Sequence, residues 1–166
     1  ATSETTTVRI TPSTINMSGS QEALDQITEL ELGTIDLGTV AANKTLEFPV
    51  TLPEGVTNQT GVSTAQVEVS FKDLVTKTFS VDKFTATNLP DGLQSTVLTQ
   101  KVEITIRGPK TSMAGVSLAD IVATVDYTGQ DAGTVTVPLT ITVSGHPDVG
   151  AVGKYSISVT LAPPAE

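Results

Sequence analysis

Apolar and polar residues alternate strictly along much of the chain. The segment Leu46–Leu52 has an apolar side chain at every second position, and Val135–Val143 does the same with threonines and a proline between. A period of two with many β-branched residues is typical of a strand with one buried face. The same pattern predicts further strands at Thr7–Ile10, Ile15–Met17, Val67–Phe71, Val102–Ile106, Asp120–Tyr127 and Ser156–Leu161.

The strand pattern occurs twice, at an offset of 89 or 90 residues. Self-similarity at a fixed period indicates an array of like modules, which serve more often as spacers or binding surfaces than as enzymes. The matched positions include Ile15 with Ile104, Met17 with Ile106, Gly19 with Gly108, Ile35–Leu37 with Val125–Tyr127, and Val67 with Ile157. We therefore expect Phe48 to occupy the place of Val137, and Val69 that of Val159, each in the core of its own module.

Helix signals are scarce. Ser20 is a candidate N-cap for one or two turns after it, with Leu24 and Ile27 facing the core. The matching segment Lys110–Val116 contains Gly115 and is weaker. The sequence thus predicts an all-β fold: two tandem small antiparallel β modules with at most one short helix each. Their predicted bounds are residues 1–75 and 76–166.

Prolines recur at matching places in two of the predicted strands. Pro49 and Pro138 each interrupt an otherwise good alternation. Because proline cannot donate a hydrogen bond to a ladder, both strands are expected to lie at a sheet edge or to carry a bulge.

The second module has a leader, Phe79–Thr96, for which the first shows no counterpart. The first module is therefore expected to be N-terminally incomplete, with an open strand edge near Thr7–Ile10. An open edge is a template for another strand. Either Phe79–Thr87 folds back to fill it, or a second chain does.

Charge and composition exclude several classes of function. With 9 basic against 18 acidic residues the net charge is −9, and binding to nucleic acid needs clustered Lys and Arg. There is no cysteine, so disulfides and Cys-based metal or redox sites are excluded. Two Tyr and no Trp offer poor platforms for carbohydrate. Phe48, Phe71, Phe79 and Phe84 lie on apolar alternation and are expected in the core.

Candidate catalytic or metal-binding residues are few. His146, the sole histidine, lies in a Gly/Pro turn and is expected to be exposed, which leaves neither a triad nor a zinc site. Asp36 and Asp126 precede turns at matching positions. A calcium role is conceivable for them, but a hydrogen bond to the backbone of the next turn is favoured. We predict no catalytic, cofactor-binding or metal residues, no cofactor, and no enzymatic activity.

The second module resembles the YbbR-like domain family of bacterial envelope proteins. The resemblance rests on Asn88–Gly92, Val102–Lys110, Ile121–Gly129, Gly133 and the strand around Val137-Pro138. In the first module it rests on Ile10–Gly19 and Leu52–Val56.

The resemblance implies an extracytoplasmic module in the cell envelope of a bacterium. It implies a parent anchored by an N-terminal transmembrane segment outside these residues, so that any membrane contact runs through that segment. It further implies a protein partner, a membrane-bound diadenylate cyclase that makes cyclic di-AMP, which the module would regulate. The alternative is an immunoglobulin-like surface adhesion or spacer module, for which no partner enzyme is needed.

Overall fold

The structure, a computed structural model, describes Thr2 and residues 4–164. It divides into two compact units: unit 1 comprises Ala1–Leu37 and Ala42–Lys72, and unit 2 comprises Gly38–Ala41 and Asp73–Glu166. Strands dominate both units and the helices are short, so the all-β prediction is confirmed.

Unit 1 is built on a three-stranded antiparallel sheet and a separate two-stranded ladder. The elements are β1 (Thr6–Thr11), β2 (Met17–Gly19), α1 (Gln21–Asp25), β3 (Lys44–Pro49), β4 (Val56–Asn58) and β5 (Thr64–Phe71). The sheet has the order β1-β5-β3, and β2 pairs with β4. The predicted N-cap is confirmed, since the Ser20 hydroxyl accepts a hydrogen bond from the Ala23 amide at 3.3 Å.

The buried side chains of unit 1 come from its central strand. Among the described residues of this unit, the apolar side chains that are fully buried are Ala65, Val67 and Val69, each at most 3% exposed. They alternate with the exposed Gln66 and Glu68, as a strand with one covered face requires. The core of unit 1 is therefore small.

Unit 2 contains a five-stranded and a three-stranded sheet. Its elements are β6 (Leu74–Val81), β7 (Thr85–Thr87), β8 (Gln94–Val97), β9 (Val102–Pro109), α2 (Lys110–Met113), a 3-10 helix (Leu118–Asp120), β10 (Ile121–Asp126), β11 (Gly133–Val143), β12 (Gly150–Ala151) and β13 (Tyr155–Ala162). The sheet orders are β7-β10-β11-β13-β8 and β12-β9-β6. Every pair is antiparallel except β7 with β10.

One hydrophobic cluster joins the two sheets of unit 2. It includes Ile104 and Ile106 of β9 and Val137, Ile157 and Val159 of the larger sheet, all at most 1% exposed. The predicted core phenylalanines of this unit pack against the cluster while remaining partly exposed. The larger core follows from the larger number of strands that cover it.

The two units repeat the same arrangement of three strands. In unit 1, Val69 of β5 lies opposite Val8 of β1 and Lys44 of β3. In unit 2, Val159 of β13 lies opposite Val97 of β8 and Val135 of β11. The order β1-β5-β3 thus corresponds to β8-β13-β11, and when Val69 is aligned with Val159 their neighbours Val8 and Val97 also align.

The two predicted matches, Phe48 with Val137 and Val69 with Val159, differ in register by two residues and cannot both hold. Phe48 lies opposite Ala65, whereas Val137 lies opposite Ile157 and Leu139 lies opposite Tyr155. Aligned on Val69 and Val159, the ladders place Phe48 with Leu139; aligned on Phe48 and Val137, they place Val69 with Leu161. The alternation could not reveal this shift, because a two-residue slip leaves every side chain on the same face.

The expectation of an edge or a bulge is right for Pro49 and wrong for Pro138, since the register of β11 with its two neighbours runs without a bulge. Pro49 ends β3, an edge strand. Pro138 lies in β11, which has β10 on one side and β13 on the other. The ladder to β10 ends at the pair Val125–Leu139, so Pro138 lies just beyond its last pair. A residue without an N–H is tolerated there.

Two predicted strand segments of unit 1 are placed differently. Ile35–Leu37, matched to part of β10, is not a strand, and β2 begins at Met17 rather than Ile15. In unit 2, β10 is paired on both sides, by β7 and β11. No strand pairs with residues 30–36 in the described part of unit 1. The alternative that Phe79–Thr87 completes unit 1 is also wrong, because this segment forms β6 and β7 of unit 2.

Candidate interaction edges

The charged and polar side chains singled out by sequence are engaged in turns. One oxygen of Asp126 accepts hydrogen bonds from the Thr128 amide at 2.9 Å, the Thr128 hydroxyl at 2.7 Å and the Asn88 side-chain amide at 2.9 Å. These bonds lower the pKa of the Asp126 carboxyl below its ordinary value. The turn interpretation of Asp126 is therefore confirmed. Asp36 is exposed and lies outside any strand.

His146 is half-buried, not exposed as predicted. A Cβ atom on Gly115 would lie 3.4 Å from the Cε1 atom of His146, so the ring packs against the glycine. Asp120 closes a capping box with the amide and hydroxyl of Ser117, at 2.8 and 2.7 Å. These bonds lower the pKa of the Asp120 carboxyl, and the field of His146 adds a smaller effect of the same sign.

Within residues 4–164 and Thr2, no group of three or more His, Cys, Asp or Glu side chains is placed to hold a metal ion. No helix of the described residues is long and apolar enough to cross a membrane.

The surface feature shared by both units is an exposed, apolar edge strand. β1 and β8 are terminal strands of their sheets. On β1, Val8 is 51% exposed and Ile10 41%; at β8, Val97 is 39% exposed and the adjoining Leu98 52%. On its inner side β1 is hydrogen-bonded to β5, and β8 is hydrogen-bonded to β13. In the described residues no strand pairs with the outer side of either. We call the outer sides of β1 and β8 the interaction edges.

An interaction edge can accept a strand from another protein. Its outer backbone N–H and C=O groups supply the hydrogen bonds, and the exposed valine adds apolar contact. Val8 and Val97 are 89 residues apart, the offset of the sequence repeat. The same apolar residue therefore recurs at the same position of the same edge in both units.

Comparison with known proteins assigns the family. The model of the YbbR-like protein family matches residues 79–161, which is half of the 166-residue chain. The chain belongs to the YbbR-like family. The match covers β8 and the core of unit 2, so the interaction edge of that unit lies within a YbbR-like domain. Assignment of residues 1–75 to a second YbbR-like module stays a prediction.

Two solved structures are similar to this YbbR-like chain. One is the YbbR-like domain of a Listeria monocytogenes protein, at 16% identity and a TM-score of 0.43, over 55% of this chain and 97% of the other. The second is a YbbR-like protein from Streptococcus pneumoniae, at 16% identity and a TM-score of 0.35, over 99% of this chain and 89% of the other. Comparison with the curated proteins gives no match.

Sequence reasoning missed one buried ionic side chain of the YbbR-like domain. Arg107 on β9 is 9% exposed and donates a hydrogen bond from a guanidinium nitrogen to the Val40 carbonyl oxygen. Burial lowers the pKa of this guanidinium. The Gly153 amide donates to the Gly38 carbonyl at 2.9 Å, which holds the same segment of unit 2. No local pattern marks Arg107, because its partner lies 67 residues away.

Proposed function

We propose that this chain is a non-enzymatic, extracytoplasmic interaction module that regulates a membrane-bound diadenylate cyclase. Membership of the YbbR-like family, a family of structural and interaction domains, is the observation that carries the proposal. The interaction edges support it, because strand addition is a common way for a β domain to bind a protein. The contact assigned to the cyclase is the edge of β8, within the matched domain.

The cyclase proposal is tested by measuring cyclic di-AMP production by the membrane cyclase of the same bacterium, with and without the purified chain. A charged side chain on a strand edge opposes pairing. Val97→Lys is therefore expected to reduce the regulatory effect at least tenfold. Leu118→Lys is the matched control, because Leu118 is 49% exposed but lies on the 3-10 helix. An unchanged rate of synthesis with the wild-type chain would contradict the proposal.

The proposed location outside the cytoplasmic membrane has its own test. Protease added to intact cells should cleave the protein at exposed turns once the outer layers of the envelope are opened, while a cytoplasmic marker survives. Protection equal to that of the marker would contradict an extracytoplasmic location.

A surface adhesion or spacer module remains the second candidate. The recurrence of one three-strand arrangement in both units favours it, because arrays of like units serve to extend a surface. Under this function the chain leaves cyclase activity unchanged, and its removal from the parent weakens attachment of cells to their surface ligand. The two measurements therefore separate the candidates.

A further inference from the structure

The ladder of β2 with β4 in unit 1 matches that of β9 with β12 in unit 2. Met17 lies opposite Asn58, and Ile106 opposite Ala151. The Asn16 carbonyl accepts from the Gln59 amide at 2.8 Å, and the Thr105 carbonyl accepts from the Val152 amide at 2.8 Å.

The amides at these two positions also have the same kind of partner. The Asn16 amide donates to the Thr60 hydroxyl at 2.7 Å, and the Thr105 amide donates to the Tyr155 hydroxyl at 2.9 Å. The two ladders share the same backbone hydrogen bond, and in both a side-chain hydroxyl accepts from the strand amide. They are therefore equivalent elements of the two units.

Their outer sides differ. In unit 2 the outer side of β9 is covered by β6 over eight consecutive pairs, from Leu74–Pro109 to Val81–Val102. In unit 1 no strand covers the outer side of β2 in the described residues. Backbone groups along a strand alternate between its two sides. Since Asn16 bonds toward β4, the amides of Met17 and Gly19 point to the uncovered side.

A pocket lies beside this uncovered strand. It has a volume of about 320 Å³ and lies within unit 1, with Ile15, Met17, Ile27 and Leu30 in its lining. In unit 2 the residue paired with Ile104, the counterpart of Ile15, is Phe79, which packs against the hydrophobic core. The matched position in unit 2 is thus filled by an aromatic side chain carried on the covering strand.

We propose that the outer side of β2 and its pocket receive the leading strand of another YbbR-like unit, an extended segment with the side-chain pattern of β6. The incoming strand runs antiparallel to β2. Its aromatic residue lies opposite Ile15 and enters the pocket, and its backbone bonds the amides of Met17 and Gly19. This inference does not depend on the cyclase proposal, which concerns the edge of β8.

The probe is a synthetic peptide of residues 73–83 added to the isotope-labelled full chain. We expect saturable NMR shift changes at Met17 and Gly19, with at least tenfold slower hydrogen exchange of these amides. The matched control peptide, with Phe79→Ser, should bind at least tenfold more weakly. In the chain, Ile15→Asp should weaken binding at least tenfold, whereas Val8→Asp on the edge of β1 should leave it unchanged.

Several outcomes would overturn the inference. Shifts centred on residues 102–109 would mean that the peptide displaces β6 from unit 2. Shifts confined to β1, equal binding of both peptides, or no saturable shift would assign the strand to another place or to none. Dimerisation of the chain alone, with the Met17 and Gly19 amides already protected while β6 stays paired with β9, would make a different strand of a second copy the occupant. If Ile15→Asp does not fold, the comparison of the two peptides still decides.

Discussion

Gly19 and Gly108 occupy the same place in the two units, and each lies close to a valine: Val56 of β4 for Gly19, and Val149, the residue just before β12, for Gly108. Gly19 lies opposite Val56 on β4. A Cβ atom on Gly108 would lie 2.6 Å from the Cγ2 atom of Val149, and one on Gly19 would lie 2.8 Å from the Gly55 carbonyl oxygen. Both glycines are required because another backbone or branched side chain comes too close for any larger residue.

Gly108→Ala should therefore destabilise unit 2. We expect a loss of about 1–3 kcal/mol in the free energy of unfolding, since the added methyl overpacks a well-filled site. Gly150→Ala is the control: Gly150 lies on β12, and its Cβ would meet nothing within 4 Å. Urea denaturation of the two variants gives the comparison, and equal midpoints would contradict the explanation.

Substitution of the buried Val159 should cost more stability than substitution of the exposed Val8 on the edge of β1. Val159 is 0% exposed, and Val159→Ala should cost about 2 kcal/mol through lost burial and a cavity. Val8→Thr, at a position 51% exposed, should change the free energy of unfolding by less than about 0.5 kcal/mol. Thermal denaturation tests both, and a comparable effect of the two changes would refute the assignment of the core.

Arg107 should hold residues 38–41 in unit 2. Arg107→Ala leaves the Val40 carbonyl without this donor, which costs about 1–3 kcal/mol for a buried polar group. Hydrogen exchange at the Gly153 amide, which bonds the Gly38 carbonyl, should become faster. Lys101→Ala, at an exposed position, serves as control. Unchanged exchange at Gly153 in the Arg107 variant would argue against this role.

Asp126 should make stability depend on pH in the acid range. Its hydrogen bonds lower the folded-state pKa, so its contribution is present above the unfolded pKa of about 4 and is lost as pH falls through the folded value. In Asp126→Asn this part of the loss of stability at low pH should disappear. The Asp131→Asn variant, changed at an exposed residue nearby, should keep it. Denaturation at pH 7 and pH 3 measures it, and parallel pH profiles for the two variants would exclude the effect.

Alternation was sufficient to predict most strands but not their partners. The buried faces of β5, β9 and β13 follow from period two alone. Strand order does not, because pairing is decided by contacts distant in sequence, which is why the expectation of an edge or a bulge at Pro138 was wrong. Ile35–Leu37 shows the same limit: its pattern matches part of β10, yet it is not a strand where no flanking strand supports it.

The candidate edges were only partly predictable. The open edge at Thr7–Ile10 was an expectation of the repeat comparison, whereas its counterpart at Val97 follows only from the register with Val159. The prediction that Asp126 bonds its turn succeeded because Asx turns are local. The burial of Arg107 depends on a distant carbonyl and had no signal in the sequence.

The small core of unit 1 has a mechanical consequence. Under tension along the chain, the unit with fewer buried side chains yields at lower force, because less apolar surface must be exposed to open it. Each residue released adds up to about 3.5 Å of length. We therefore expect a stretched chain to lengthen first in unit 1, while the β8 edge of unit 2 stays folded.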